Sequence, residues 1–405
     1  MSGHAIIIMK FGGTSVATPE GRSAIVRRVT EALEREQAPV VVVSAMGRKG
    51  APYATDTLLS LLEGLPTDAR ERDLLACTGE VVSAVLVAHV LRGAGIDARA
   101  FSGPEAGIGT NGAYGAATVT DVYPGPLLSA LAADAVPVVA GFQGMAPDGS
   151  VTTLGRGGSD TTACALGVAL RAKTVEIYTD VDGVMSADPR SCDDAAVLDV
   201  ISADELFQMA RHGSRIVHTP AAELALGSGL AVRVRNTFSD HTGTLVADIA
   251  SYQPKALATA VSETSGIARV HVDLSAPEGT REHTVAQARV YRAMADAGVS
   301  LDMFTPASDT LVFTVPEVDL PRACDVLAGL DLICKTQGGL SKITLVGAGM
   351  HGVPGVMARV AEYLSDAGVN ILQTADSHTT ISVLVSALDA TSAVNALHTG
   401  FGLSG

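Results

Sequence analysis

Two glycine-rich turns hold the residues best suited to chemistry. Lys10 to Ser15 (KFGGTS) sets a lysine against two glycines at the end of an apolar run. Gly155 to Asp160 (GRGGSD) sets three glycines, an arginine and an aspartate ahead of a helix-like apolar run, Thr161 to Leu170. Glycines let backbone N–H groups crowd towards an anion, and a following helix start adds unpaired N–H groups and its positive dipole end. TVEIYTD (Thr174 to Asp180) then reads as a buried strand running into an acidic loop with Asp180 and Asp182, and Asp188 lies a few residues beyond. An anion cradle beside clustered acids points to a phosphate chain with Mg²⁺.

Each motif also has a plainer reading. Lys10 can reach a β- or γ-phosphate while Gly12 and Gly13 turn N–H groups to the same anion, and the same residues fit an ordinary glycine turn with a solvated lysine. Gly-rich turns before helices are common, but Arg156 and Asp160 stand at the edge of a buried element, where a charge needs a partner. Glu80 is a lone carboxylate inside LLACTGEVVSAVLVAHVL. It either snorkels at a helix end or holds a cation, and a substrate ammonium would serve. GAGMHG (Gly347 to Gly352) matches G-x-G-x-x-G, yet it lies inside a repeat that is no Rossmann half, and Pro354 shapes the helix after it. A tight turn accounts for it better. No GxxxxGK[ST] occurs, the histidines show no HxxxH or HExxH, and the cysteines form no metal set, which excludes a P-loop and a structural zinc site.

These side chains require a scaffold that gathers loops at one edge. Strand-like runs at Ala5 to Met9, Val40 to Ser44, Val136 to Phe142, Thr174 to Asp180 and Leu230 to Asn236 alternate with helical stretches. Continuous Val/Ile runs are what strands covered on both faces need, so the first 250 residues or so predict an α/β sandwich around a mainly parallel sheet. Thr18 as cap and Pro19 at the first helical position punctuate the first crossover. The chain turns polar after Asn236, and beyond it DAGVSLDM (Asp296 to Met303) recurs as DAGVNILQ (Asp366 to Gln373). DTLVFTV (Asp309 to Val315) recurs at the same offset as TTISVLV (Thr379 to Val385). Each copy reads strand, helix, strand, strand, helix, the split βαβ pattern, and a pair of such small sheets is a candidate ligand sensor.

At 405 residues with 47% hydrophobic content the chain has material for two or three cores. A net charge of −15 argues against nucleic acid or anionic membrane as partner. Five widely spaced cysteines without a CxxC pair fit a reduced cytoplasm. The opening MSGHAIIIMKFGG reads as a strand rather than a signal peptide, and the apolar stretch Leu127 to Phe142 is broken by Asp134 and Pro137, too soon for a membrane span.

In their order along the chain, KFGGTS, VVVSAMG (Val41 to Gly47), TGE (Thr78 to Glu80), GFQG (Gly141 to Gly144), TTLGRGGSDTTA (Thr152 to Ala163), YTDVDGVMSADPR (Tyr178 to Arg190) and RVRNTFSDHTGTLV (Arg233 to Val246) resemble the aspartokinase family. The resemblance covers essentially the full length. It implies an amino-acid kinase three-layer αβα sandwich over residues 1–250, followed by two ferredoxin-like (βαββαβ) ACT domains over 265–338 and 339–405, the second with a strand from 255–263. It implies the reaction of ATP with L-aspartate to give ADP and 4-phospho-L-aspartate, the entry to lysine, threonine, methionine and diaminopimelate synthesis. An aspartate side chain, ordinarily near 3.9, is already ionised at neutral pH, so no general base is required. The rivals are a glutamate 5-kinase or acetylglutamate kinase, and a catalytically silent amino-acid sensor.

By the same resemblance Lys10, Asp160 and Arg156 are catalytic, Lys10 meeting the transferring phosphate and Asp160 holding it. Phe11, Gly12, Gly13 and Ser15 line the phosphate path. Thr55, Glu80, Arg156 and Ser159 contact aspartate, with Glu80 on the α-ammonium and Arg156 on a carboxylate. Tyr178, Thr179, Asp182, Val184, Asp188, Pro189 and Arg215 frame the nucleotide. GRKGAPYATDTLL (Gly47 to Leu59) and ILQTADSHTTISVLV (Ile371 to Val385) are most similar to the monofunctional isozyme inhibited by meso-diaminopimelate. Effector contacts are expected at Asn370, Ile371, Asp376 and Ser377, with lysine or threonine as alternatives to diaminopimelate. Pairing of sensor edges across a two-fold implies a homodimer or tetramer.

Overall fold

The apolar runs separate into two bodies. A computed structural model describes residues 3–213, 227–247, 256–274, 279–307, 309–350 and 352–404. Its contacts divide the chain into a first unit of Met1–Val184, Val197–Ala210 and Arg215–Gln253 and a second of Met185–Ala196, Arg211–Ser214 and Pro254–Gly405.

In the first unit the strands are β1 (Ala5–Phe11), β2 (Gln37–Val43), β3 (Ala98–Phe101), β4 (Ile108–Thr110), β5 (Val119–Val122), β6 (Val136–Ala140), β7 (Gln143–Met145), β8 (Val151–Thr153), β9 (Thr174–Thr179), β10 (Val200–Ser202), β11 (Ala231–Asn236) and β12 (Thr244–Ala247). The helices are α1 (Gly13–Ala17), α2 (Pro19–Glu34), α3 (Thr55–Ser60), α4 (Ala69–Ala76), α5 (Thr78–Gly93), α6 (Gly125–Ala132), α7 (Gly158–Ala169) and α8 (Ala203–Arg211), the last crossing into the second unit at Arg211. Eight strands form one sheet in the order β10-β12-β11-β9-β1-β2-β6-β3. Every pairing in it is parallel except β11 with β12. The predicted sandwich is therefore present.

Side chains alternate across a strand, so β1 feeds two layers. Ile7, Met9 and Phe11 join Val41, Val43, Val136 and Val138 in a core with Ile25 and Val29 of α2 and Ala84, Val87 and Leu91 of α5. Ile8 and Lys10 face the other way. There α7 lies close on the sheet, because a side chain at Gly167 would stand 2.7 Å from Val175 Cγ2. Thr18 caps α2 as its spacing predicts, accepting from the Gly21 N–H at 3.1 Å, with Pro19 following.

A second sheet, β5-β4-β7-β8, was not anticipated. Its strands are too short to carry a periodic signal, three of them having only three residues. It delivers the chain into the GRGG turn. The run Ala69–Gly93 is long and apolar enough to cross a membrane, but half of it is buried inside the fold.

The second unit holds β13 (Ala260–Asp273), α9 (Arg281–Asp296), β14 (Asp302–Ala307), β15 (Thr310–Pro316), α10 (Leu320–Ala328), β16 (Cys334–Val346), α11 (Val356–Asp366), β17 (Gln373–Asp376), β18 (Thr380–Ser386) and α12 (Ala390–Gly400). Its six strands form one sheet, β14-β15-β13-β16-β18-β17. β15 and β18 begin 70 residues apart, as do α10 and α12, which is the offset of the repeated phrases. The long central strands serve two cores. Ala268, Val270 and Val272 pack under α9 and α10 with β15, whereas Val261, Ile343 and Leu345 pack under α11 and α12 with β18. A bulge between Thr264 and Ile267 separates the two halves of β13.

Candidate active site

Parallel strands bring their carboxyl ends to one edge, where α/β folds place their ligands. β1 ends there with Lys10, β2 runs into Ser44 and Ala45, β6 into Gly141, and β9 into Thr179 and Asp180. Lys10 projects on the α7 side of β1, and its Nζ lies 2.7 Å from Asp160 Oδ1 in the first turn of α7. Both side chains are only 12% exposed, so the ammonium is held rather than free to wander.

The backbone around this pair is packed too tightly for side chains. A Cβ on Gly13 would run into the Ala45 carbonyl, and Gly13 O accepts from the Gly47 N–H at 3.1 Å. A Cβ on Gly141 would stand 2.8 Å from Ser159, and one on Gly158 2.8 Å from the Phe142 ring. Gly155 and Gly157 adopt φ of 72° and 70°, in the left-handed region that other residues avoid. The two glycine turns thus frame the Lys10–Asp160 pair from two sides.

Glu80 occupies the first turn of α5 and is 3% exposed. Its Oε1 accepts from the Ala45 N–H at 3.1 Å, and its Oε2 is buried with no hydrogen-bond partner. Burial pushes this carboxyl up to about 7 from an ordinary 4.5, against the pull of the Ala45 N–H. Gly79 admits the loop ahead of α3: a Cβ there would be 2.5 Å from Tyr53 O. Thr55 begins α3 two residues after that contact. A buried carboxylate with one oxygen unpartnered therefore lies next to the loop that carries Thr55 and against Ala45, just beyond the end of β2.

Residues 5–236 match the profile of the amino acid kinase family, and residues 335–399 that of an ACT domain. Aspartokinase 1 of Bacillus subtilis is 42% identical over 405 aligned residues, 98% of this chain and 99% of that one. The chain belongs to the aspartokinase family. The aspartokinase of Mycolicibacterium smegmatis is 38% identical, covering 99% of this chain and 97% of its own. Crystal structures of E. coli aspartokinase III, one with aspartate and ADP and one with lysine and aspartate, match over 98% of this chain and at least 99% of theirs. Their TM-scores are 0.78 at 24% and 25% identity. Membership in the family makes the chain an ATP-dependent kinase.

Several residues expected at the site have other duties in the enzyme. Phe11 and Tyr178 point to the face opposite Lys10, where their buried rings stack with centroids 4.7 Å apart. The Tyr178 hydroxyl donates to Glu176 Oε2 at 2.5 Å, so these two offer the site only main chain. The Gly12 N–H is already given to Tyr178 O and the Ser15 N–H to Gly12 O. The Ser15 hydroxyl is buried against Thr237 Oγ1 at 2.7 Å, which closes it to a phosphate. Val184 is a core residue whose N–H donates to Thr244 Oγ1. Asp182 accepts from Asn236 Nδ2 and Ser239 Oγ, and these bonds, Ser239 first, hold it below the usual carboxylate range. Thr179 remains on the Lys10 face of the sheet, its neighbour Ile177 being in register with Lys10.

Arg156 corrects the burial argument made from sequence: its side chain is exposed, so water stabilises the charge and no buried partner is required. Ser159 and Asp160 behind it are buried. Asp188 and Pro189 belong to the second unit, where Asp188 forms an ion pair with Arg190 at 2.6 Å. Arg215 lies outside the described residues.

In the second unit Asp376 and Ser377 line a cleft of about 840 Å³ with Met350, Val353, Met357 and His378. Asn370 and Ile371, on the turn after α11, do not line it.

Two buried residues escaped sequence reasoning. Asp73 of α4 is 3% exposed and accepts from Thr153 N–H at 2.7 Å, Thr153 Oγ1 at 3.0 Å and Gly115 N–H at 3.0 Å. Gln143 of β7 donates from Nε2 to Cys77 O at 3.1 Å. Sequence offers little signal for Asp73, because it closes the charged run Arg70 to Asp73 and reads there as part of a solvated helix face.

Proposed function

We propose that this enzyme transfers the γ-phosphoryl group of ATP to the side-chain carboxylate of L-aspartate, giving ADP and 4-phospho-L-aspartate. The observation that carries the reading is Glu80, a buried carboxylate with one oxygen unpartnered, bonded to Ala45, the residue the Gly13 turn packs against. A free amino acid's ammonium is the partner it lacks. Arg156, exposed in its glycine turn, receives a substrate carboxylate, and Ser159 and Thr55 border the same space.

The attacking group is already an anion at neutral pH, so the barrier is electrostatic: one carboxylate must approach a polyanion. Lys10 meets the charge that develops on the moving phosphoryl group. Asp160 keeps its ammonium aimed, and the Gly13 turn lets main chain come close. Thr179 and the main chain at Phe11, Gly12, Ser15, Tyr178 and Val184 border the nucleotide; Asp182 steadies the loop after β9. Among the described residues no three His, Cys, Asp or Glu side chains gather as a metal cage. Mg²⁺ would then be carried mainly by phosphate oxygens, with Asp180, exposed and paired with Arg48 at 3.2 Å, as a carboxylate that would leave that pair to join it; when bound the ion would neutralise phosphate charge.

The second unit is read as two ACT repeats, 265–338 and 339–405 with a strand from 255–263, that sense a pathway end product. E. coli aspartokinase III has been crystallised with lysine. Here Asp376 lines the cleft and offers a carboxylate to a second ammonium, which meso-diaminopimelate and lysine carry and threonine lacks; the likeness of Ile371 to Val385 to the diaminopimelate-inhibited isozyme favours meso-diaminopimelate of the two. Asn370 and Ile371 would meet an effector only from outside this cleft. The five free thiols fit a cytoplasmic enzyme, and pairing of ACT edges fits a homodimer or tetramer. A coupled ADP-release assay with aspartate, glutamate and acetylglutamate tests the substrate: turnover with aspartate alone is expected, and preference for either of the others refutes it. The same assay with each end product tests the sensor; inhibition by lysine or threonine but not by diaminopimelate refutes the effector.

A further inference from the structure

We infer that Asp73 is a positioning residue that sets the span between Glu80 and the Arg156 turn, and through it the length of amino acid the enzyme accepts. The inference rests on the reading of Glu80 and Arg156 as the two ends of the substrate site.

Asp73 and Glu80 ride on α4 and α5, which follow one another with a single residue between them. Arg156 is delivered by β8, three residues after Thr153. The Asp73 carboxylate takes both the N–H and the hydroxyl of Thr153, so it grips the last residue of β8 by main chain and side chain together. Its third bond, from the Gly115 N–H, fastens the segment on the other side of the turn. Gly115 O would stand 3.3 Å from a Cβ on Gly155, and the Ala117 N–H donates to Thr153 O at 2.9 Å. Thus one buried carboxylate clamps both walls of the turn that presents Arg156.

A second strap follows the same line. Gln143 is paired across the β7–β8 hairpin with Thr153, and its amide reaches Cys77 O at the joint between α4 and α5. Gln143 is 1% exposed. The helix that carries Glu80 and the hairpin that carries Arg156 are therefore fastened at two buried points, one charged and one neutral. All three partners of Asp73 are neutral donors, so the negative charge is there to strengthen the strap rather than to cancel a nearby cation. An amino acid held by its ammonium at one end and a carboxylate at the other is measured against this fixed span. A substrate one methylene longer misplaces its carboxylate.

The test compares full-length wild type, Asp73→Asn and Gln143→Met in the ADP-release assay, with aspartate, glutamate and ATP each varied. Asp73→Asn keeps the shape but replaces an acceptor with a donor facing another donor. It is expected to raise the aspartate KM about tenfold or more, since displacements of about 1 Å have effects of that order. The ATP KM is expected to stay within about twofold, and the preference for aspartate over glutamate to narrow. Gln143→Met is expected to shift the same quantities in the same direction by less. Aspartate and ATP KM values that rise together, or an unchanged preference, overturn the inference. Should Asp73→Asn fail to fold, Gln143→Met decides alone, and wild-type aspartate KM and preference in it are the overturning result. Wild-type protein without aspartate-dependent turnover overturns the substrate reading and this inference together. Turnover by wild type with an unshifted aspartate KM in the variants overturns the inference only.

Discussion

Glu80 should make aspartate binding pH-dependent across neutrality. With the site empty its carboxyl titrates at about 7, because burial raises it from 4.5 and one Ala45 N–H does not compensate. Holding that charge buried costs the ionised form about 3 kcal/mol, which an incoming ammonium offsets. Ammonium binding needs the carboxylate, so protonation competes with substrate. With a midpoint near 7, about nine-tenths of Glu80 is ionised at pH 8 and about one-tenth at pH 6, and the aspartate KM should rise about tenfold between them. Calorimetry at pH 7 in buffers of different ionisation enthalpy should register release of about half a proton per aspartate bound. Glu80→Gln should abolish that release, flatten the KM profile and raise KM by about 10²-fold or more. The sign also appears in stability. A carboxyl raised in the folded state stabilises most below its ordinary value, so the substrate-free protein should lose stability as pH rises from 4.5 through 7, and aspartate should restore it. An aspartate KM that is level from pH 6 to 8, or a Glu80→Gln enzyme with wild-type KM, would refute the reasoning.

Lys10→Ala should lower kcat by about 10³-fold or more, because it deletes a cation aimed at the transferring phosphoryl group; wild-type turnover would sink the assignment. Gly13→Ala should be felt in ATP KM and kcat together, since the new methyl would collide with the Ala45 carbonyl and part the two strand ends that form the cradle; unchanged kinetics would show that the turn yields without consequence. In the second unit His398 is buried, its Nε2 2.8 Å from Ser186 Oγ, and burial holds its imidazole below the ordinary 6.5. The unfolded chain then binds the proton more readily, so this histidine's contribution is present above 6.5 and lost as pH falls. Calorimetric melts of His398→Gln should show a flatter decline of melting temperature below pH 6.5 than wild type, and parallel declines would count against it.

The long elements were legible because their chemistry is repetitive. Val40 to Val43 can only be a strand covered on both faces, and the sheet has it between β1 and β6 with all four residues buried. Lys10 at a strand end and Asp160 in a helix's first turn were legible one by one, and their pairing came through the family resemblance. Direction was less legible. One residue of alternation sends Lys10 to the α7 face and Phe11 into the core, and the run KFGGTS gives no sign of which way each turns. Tyr178 had the same ambiguity, resolved by Glu176 two positions earlier on the same face. The exposure of Arg156 could not be read, because it depends on what the rest of the fold leaves uncovered.

Asp73 shows why the remainder stayed hidden. A carboxylate that works by receiving main-chain N–H groups needs no motif around its partners, since every residue but proline carries that donor. Thr153 and Gly115 are 80 and 42 residues away from Asp73, and nothing in their side chains announces the bond from Gly115. A buried charge can leave its cost in sequence, as a charge within a segment otherwise fit for a core, but Asp73 closes the charged run Arg70 to Asp73 and is masked by it. Glu80 was noticed on that ground and given a ligand. Asp73 has the same burial but all its bonds are internal, and this difference separates a carboxylate that waits for substrate from one that holds the walls apart at the right width.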